Sequence, residues 1–359
     1  MKHKKHILVV LTFIFTLFSL NAETASEHAG NEKEGFDLKE MIFSHLLDSY
    51  EWHLFTLPGD KHVSIHLPVI IKSKERGWFV FSSSKLAHGH TYEGFQLSHS
   101  EKNNGKVVEI NASGEEVRPL DMSFTKNAAA IILSCILLMI LFLNMASSYK
   151  KNPLKARRGF IGSIEMLVMW VYDDVIKPCI GKNYKKFAPF LLTAFFFIFF
   201  NNLIGLIPIF PGGANVTGNI AVTMVLALIT FFITNVFGNK EYWKEIFWPD
   251  VPVWLKIPIP IMPFIELLGI FTKPFALMIR LFANMLSGHF IILVLTGLIF
   301  IFSEFAGNIV AGGVSLFSIA FSLFMLALDV LISFIQAYVF TMLSAIFIGL
   351  GQVEHHHKA

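Results

Sequence analysis

Near the end of the chain, polar side chains with chemical capacity sit inside long apolar runs. Glu266, Arg280, Asn284 and His289 lie in one run, and Asp329 and Gln336 in the next. Arg280 is the most demanding of them. An arginine at the centre of a bilayer costs about 2.5–3.5 kcal/mol on insertion scales. Its guanidinium cannot shed its proton, so burial cannot neutralise it as it would a lysine. The bland alternative is an arginine held by a carboxylate that pins two helices together. His289 and Asp329 carry a different chemistry. Imidazole titrates near neutral pH and a carboxylate partner tunes it, so a His–Asp pair can exchange protons there. Its rival is a static bridge. A fixed cation with amide neighbours and, at another depth, a titratable pair are the dress expected of an ion path facing a bundle interior.

The elements that must place these groups are two unusually long helices. From Glu266 to Phe302, a helix rising 1.5 Å per residue covers on the order of 55 Å, against a hydrocarbon core of about 30 Å. Such a helix must tilt, break or extend beyond the core, and Pro274 offers one local kink. A glycine-bearing turn (Gly307, Gly312, Gly313) leads to the last run, Ser315 to Leu350. Folding the pair about Asn308 sets Arg280 against Gln336, His289 against Asp329, and Asn284 near Ser333. Polar residues of one arm thus land opposite polar residues of the other.

The rest of the chain fits a polytopic membrane protein. Charged residues are 15% and hydrophobic ones 54% of the 359, against roughly 25% and 45–50% in soluble domains. A net charge of +3 gives no footprint for nucleic acid. Cys135 and Cys179 read as free thiols. Residues 1–22 read as a signal peptide, with Lys2, Lys4 and Lys5, an apolar core Ile7–Leu20, and a small-residue site ending at Ala22. Residues 23–127 form an external α+β extension, with a helix over Phe36–Phe55 and strands over Val63–Ile71 and Trp78–Ser82. Eight histidines fall there. His62 with His66, and His88 with His90, are candidate metal ligands, although scattered surface histidines are the simpler reading; no metal is assigned. Asn111-Ala-Ser113 fits a glycosylation sequon by pattern alone.

The membrane part, 128–350, begins with a span over Ala128–Ala146. The lysine- and arginine-rich loop Ser147–Lys186 is cytoplasmic by the positive-inside rule, with Phe160–Ile176 as an interfacial helix. Phe187–Ile209 crosses outward, Pro208, Pro211, Gly212 and Gly213 turn, and Thr217–Phe237 crosses inward. Trp243, Trp248 and Trp254 suit the headgroup level of the next inner loop. Five or so mature spans result, all α-helical, ending in a tilted hairpin and a cytoplasmic tail, 351–359. No phosphate-binding glycine loop, HExxH or GxSxG appears.

The string Arg280-Leu-Phe-Ala-Asn284-Met, preceded by Glu266 and Lys273-Pro274 and followed by Gln336-Ala-Tyr-Val-Phe, resembles subunit a of the F-type ATP synthase. Asn202-Leu-Ile-Gly-Leu-Ile-Pro208 is similar to the family's earlier span motif. The resemblance covers about Ala128–Leu350 and leaves out the external extension. It implies a proton-conducting stator in the bacterial inner membrane, with two half-channels meeting a rotating ring of c subunits. Arg280 would face the ring carboxylates, Gln336 would orient it, and Glu266, His289 and Asp329 would line the path beside Asn284. It also implies b subunits of the peripheral stalk and the rest of the complex as partners, the lipid bilayer as surroundings, no cofactor, and no nucleotide site of its own. Two features depart from the pattern. The His and Asp stand in swapped order relative to some bacterial members, and Asn219 and Ala221 occupy positions where acidic and amide residues are frequent. The alternative reading is a secondary transporter using Arg280 to bind an anionic substrate, for which no internal repeat is visible.

Overall fold

The computed structural model describes residues 48–352 apart from 58–60, 99, 101–102, 112–113, 152–158, 208–211 and 249–260. The expected signal peptide, the residues 36–47 of the expected external helix, Pro208, Pro211, Trp254 and the tail beyond 352 lie outside the described residues.

The external part is β-rich. Strands β1 (Glu51–Leu57) and β2 (Lys61–His66) pair antiparallel. A second sheet has the order β4 (Gly77–Ser82), β3 (Pro68–Ser73), β8 (Leu120–Asp121), and a third has the order β5 (Phe95–Leu97), β6 (Val107–Ile110), β7 (Glu116–Val117). The expected strands are present, divided at Leu67. The expected helix is wrong where it can be checked: Glu51–Phe55 is strand. Trp52 and Phe55 were spaced three apart, a helical interval, and the Tyr, Trp and Thr content of the stretch favours a pleated surface instead. Alternation on β3 sends Val69, Ile71 and Ser73 inward. Val69 and Ile71 meet Phe81, Leu86, Phe95, Val107 and Tyr50 in one buried cluster. Tyr50 donates its hydroxyl hydrogen to Asp121 Oδ2 at the edge of that cluster.

Helix α1 (Lys126–Lys151) follows directly and contains the expected first span. Helix α2 (Phe160–Trp170) runs through a π-helical turn (Val171–Ile176) into α3 (Lys177–Ile180). Although α2 was expected along the membrane surface, Ile164, Val171 and Ile176 enter the main core, and Trp170 stacks on Phe334 and Tyr338. Helix α4 (Tyr184–Gly205) carries the richest share of that core, including Leu191, Phe195, Phe196 and Ile198. Helix α5 (Ile220–Val236) is followed by a 100° bend into α6 (Lys240–Phe247). Among the described residues, four helices are long and apolar enough to cross a membrane, or five if the bent pair counts as one span.

Helix α7 (Ile261–Leu350) is helical over 90 residues. Straight, it would measure about 135 Å. Yet Asn284 Nδ2 lies 2.6 Å from Gln336 Oε1, so the run doubles back on itself. Its two arms are Met262–Leu298 and Gly313–Leu350. The expected turn at Gly307, Gly312 and Gly313 stays within helical assignment, and the helix also passes through Pro274. At its far end the second arm is clamped. Asn239 N donates to Gly351 O at 2.8 Å, and Asn183 Nδ2 donates to Gln352 Oε1 at 2.9 Å. Gly349 sits so close to α3 that a Cβ there would lie 2.0 Å from the Cys179 carbonyl oxygen.

Burial, and then the bond to Asp121, push the Tyr50 phenol above its ordinary range. Above pH about 10 the unfolded phenol ionises while the folded one stays neutral, so stability present below that pH is lost as pH rises. Urea unfolding of the detergent-solubilised chain should show this loss in the external domain between about pH 8 and about pH 11. Tyr50→Phe should remove that part of the slope and cost about 0.5–1.5 kcal/mol at neutral pH. An unchanged alkaline slope in Tyr50→Phe would assign it to other groups. A second expectation concerns Gly349→Ala, which must push α3 off the hairpin and should destabilise the helical bundle by about 1–3 kcal/mol. Unaltered thermal unfolding would contradict the close approach.

Candidate functional site

The closed hairpin and α4 together surround a narrow cavity with room for about one water molecule. Asn202 comes from α4, Asn284, Gly288 and His289 from the first arm, and Asp329, Ser333 and Gln336 from the second. Asp329 is 5% exposed and Gln336 4%. Asn284, His289, Asp329 and Gln336 thus line one cavity, whereas folding the hairpin by sequence set Gln336 with Arg280 at one depth and the His289–Asp329 pair at another.

The pairings inside it differ from the expected ones. Gln336 accepts its hydrogen bond from Asn284 and not from Arg280. His289 and Asp329 line the same cavity without bonding to each other: His289 Nε2 and Asp329 Oδ2 both lack a protein partner, as does Gln336 Nε2. The glycines explain why. Asp329 lies over Gly288, where a Cβ would come within 2.8 Å of Oδ1. His289 points past the hairpin toward α4, its Nε2 3.8 Å from where a Cβ on Gly205 would stand. A buried polar atom without a partner costs about 1–3 kcal/mol. Around a water-sized space, His289 Nε2 and Asp329 Oδ2 are titratable atoms able to take up and release a proton, and Gln336 Nε2 is a hydrogen-bond donor beside them.

Arg280 is exposed on the first arm, about one turn from Asn284 and about two and a half turns from His289 along the helix. Among the described residues it makes no ion pair, so the reading of a carboxylate-pinned arginine finds no partner. Ala276, Ala283, Asn284 and Ser287 are exposed with it, at the spacing of one helix face. Small side chains around a single cation leave room for another helix to approach closely.

A second cavity, unforeseen in the sequence, opens on the other side of Arg280. Thr230, Thr234 and Asn235 of α5, Tyr242 of α6, and Lys273 and Pro274 of the first arm line it. Its polar groups bond largely to their own helix: Thr230 Oγ1 to Leu226 O at 3.2 Å, Thr234 Oγ1 to Thr230 O at 2.9 Å, and Asn235 Nδ2 to Phe231 O at 2.7 Å. Glu266 is half-buried and near enough to Tyr242 for the carboxylate to act on the phenol. It stands about two turns before Lys273 on the first arm and is not among the residues lining either cavity. Along the first arm, Arg280 stands about 10 Å from Lys273 and about 12 Å from Gly288, between the two cavities. Asn219, one of the departing positions, is the N-cap of α5, its side chain accepting from Ala221 N at 3.0 Å. Among the described residues no group of three or more His, Cys, Asp or Glu could hold a metal.

The bond between the arms can be weighed directly. In a double-mutant cycle of Asn284→Ala and Gln336→Ala, unfolding in detergent should give a coupling of about 0.6 kcal/mol and no more than about 1.7. Strictly additive single effects would show that the arms close without this bond.

Comparison with known proteins extends the geometry. Residues 128–349 match the family model described as ATP synthase A chain, and residues 41–128 match a domain of unknown function. The chain is 39% identical over 248 residues to ATP synthase subunit a of Chloroherpeton thalassium, covering 67% of this chain and 70% of the relative. It is 45% identical over 253 residues to ATP synthase subunit a 2 of Chlorobaculum tepidum, covering 68% and 67%. With subunit a of Myxococcus xanthus it shares 43% over 244 residues, covering 66% and 76%. With its membrane helices matched from end to end, the chain belongs to the ATP synthase A chain family.

Proposed function

We propose that the chain is the proton-translocating stator subunit of a rotary ATP synthase, and that its two cavities are parts of two half-channels. The observation that carries this reading is the position of Arg280, unpaired among the described residues and exposed between the cavities on a face of small side chains. A fixed cation there favours the ionised form of a carboxylate brought up by a ring of c subunits, and so drives its proton into a half-channel. Because the guanidinium does not release a proton, it also bars direct leakage from one cavity to the other. His289, Asp329 and the free edge of Gln336 serve one half-channel; Glu266, with Tyr242 and Lys273, serves the other. Asn284 ties Gln336 to the hairpin and so holds that wall beside the ring.

In this reading the external domain stands outside the bacterial inner membrane and the clamped end at Gln352 on the cytoplasmic side. That orientation agrees with the lysine-rich stretch around Lys150, Lys177, Lys182, Lys185 and Lys186. The His289 cavity is then the outer one. Besides the ring, the partners are the b subunits of the peripheral stalk and the remainder of the complex. The chain holds no nucleotide site and contributes to ATP synthesis by conducting the ion.

The test is ATP-driven proton pumping and passive proton leak in vesicles bearing wild type or Arg280→Ala, with assembly verified. Pumping should fall to background in the mutant while leak rises. Normal coupled pumping would reduce Arg280 to a surface cation and end this mechanism. Saturable uptake of an anion by the chain without the ring would favour the transporter reading.

A further inference from the structure

The external domain is fastened to the membrane helices at two places, and the first closes on the wall of the His289 cavity. The first is Trp52 on β1. It is 5% exposed, its indole N–H donates to Gly212 O at 3.2 Å, and its ring packs with Ala130 of α1 and with Ala214 and Val216 of the α4–α5 loop. That loop in turn closes on the cavity. Thr217 Oγ1 donates to Asn202 Oδ1 at 2.5 Å, and Asn202 is a cavity wall. The Ala214 carbonyl, Met285 and His289 converge on Gly205, where a Cβ would meet Met285 Cε at 3.0 Å and Ala214 O at 3.1 Å. The second fastening is the start of α1. Lys126 N donates to Ser49 O at 2.8 Å and Asn127 N to Asp48 Oδ1 at 3.1 Å.

We infer that the segment Asp48–Trp52 makes the external domain a working wall of the outer half-channel, with Trp52 as the positioning residue that holds the Gly212–Thr217 loop against α4. This rests on the reading of the His289 cavity as that half-channel. The domain is then more than an appendage. By pressing the loop onto Asn202 and Gly205, it keeps the space beside His289 narrow and sets how water and ions reach it from outside. Trp52 touches neither the proton nor the ring, and acts through the loop.

The experiment uses the assembled complex in vesicles, with Cys135→Ser and Cys179→Ser removing the natural thiols and Met285→Cys placing one in the cavity wall. A membrane-impermeant thiol reagent is applied from the outer or the inner side, and proton leak is recorded in parallel. With Trp52 present, labelling from outside should be slow and labelling from inside slower still. Trp52→Ala should raise the outside rate several-fold and leave the inside rate unchanged. Trp52→Phe, which keeps an aromatic ring but loses the N–H donor and part of the indole's bulk, should fall between and carries the test if the alanine variant does not assemble. Equal outside rates in wild type and Trp52→Phe, with Trp52→Ala also unchanged or unassembled, would overturn the positioning role while the half-channel reading stands. A thiol labelled only from inside would overturn both, because the cavity would not then open outward.

Discussion

The structure depends on the closure of α7 upon itself. Two apolar arms have no hydrophobic reason to associate inside lipid, where hydrocarbon tails are as apolar as leucine. What is left is close packing and polar contact, and both occur at one level of the hairpin. Gly288 lets the second arm approach until the Asp329 carboxylate covers it, and one helical turn away Asn284 bonds Gln336. The closed pair then offers α4 and α5 a surface. Leu277, Met278 and Leu281 of the first arm and Ala337, Phe340, Ala345 and Ile348 of the second join Leu191, Phe195 and Ala227 in one core. Opening the hairpin would dissolve the His289 cavity and the core together.

The same closure decides which polar groups stay apart. Leu277, Leu281 and Met285 of the first arm face inward, while Arg280 sits with Ala276, Ala283 and Ser287 on the exposed face. A permanent charge is therefore displayed at the protein surface, between the two cavities, with no internal counter-ion among the described residues. Such a charge is expensive against lipid and is stabilised when a partner brings a carboxylate to it. The exposed charge thus favours any assembled state in which a partner's carboxylate, rather than lipid, meets this face.

Much of this was legible in the sequence because helix periodicity and antiparallel folding are simple constraints. They set Asn284, His289, Asp329 and Gln336 facing one another across the hairpin, though in two clusters, and named the strands over 63–71 and 78–82. They failed where a third element intervened. His289 and Asp329 were matched as if the hairpin were a flat ladder, whereas α4 draws the imidazole toward Gly205. Gln336 was assigned to Arg280 and meets Asn284, about one turn away, because register cannot be read to a single turn from polar positions alone. The second cavity went unseen for another reason. Thr230, Thr234 and Asn235 bond their own helix, so in sequence they look like tolerated polar residues in a span. The start of β1 was misread as helix because Trp52 serves a distant loop, and no local pattern records that.

The way α1 begins bears on why the external domain is bound so closely. The first N–H groups of any helix need acceptors, and an acidic side chain there is favoured by the helix dipole. The first turn of α1 has no acidic residue and opens with Lys126, a charge of the unfavourable sign. The missing carboxylate comes from Asp48, 79 residues earlier, at the edge of the external domain. The helix start is thus completed by a segment that also carries Trp52 four residues on, where it grips the α4–α5 loop. Because one short stretch satisfies both the end of a span and the mouth of a cavity, displacing the external domain cannot leave either unchanged.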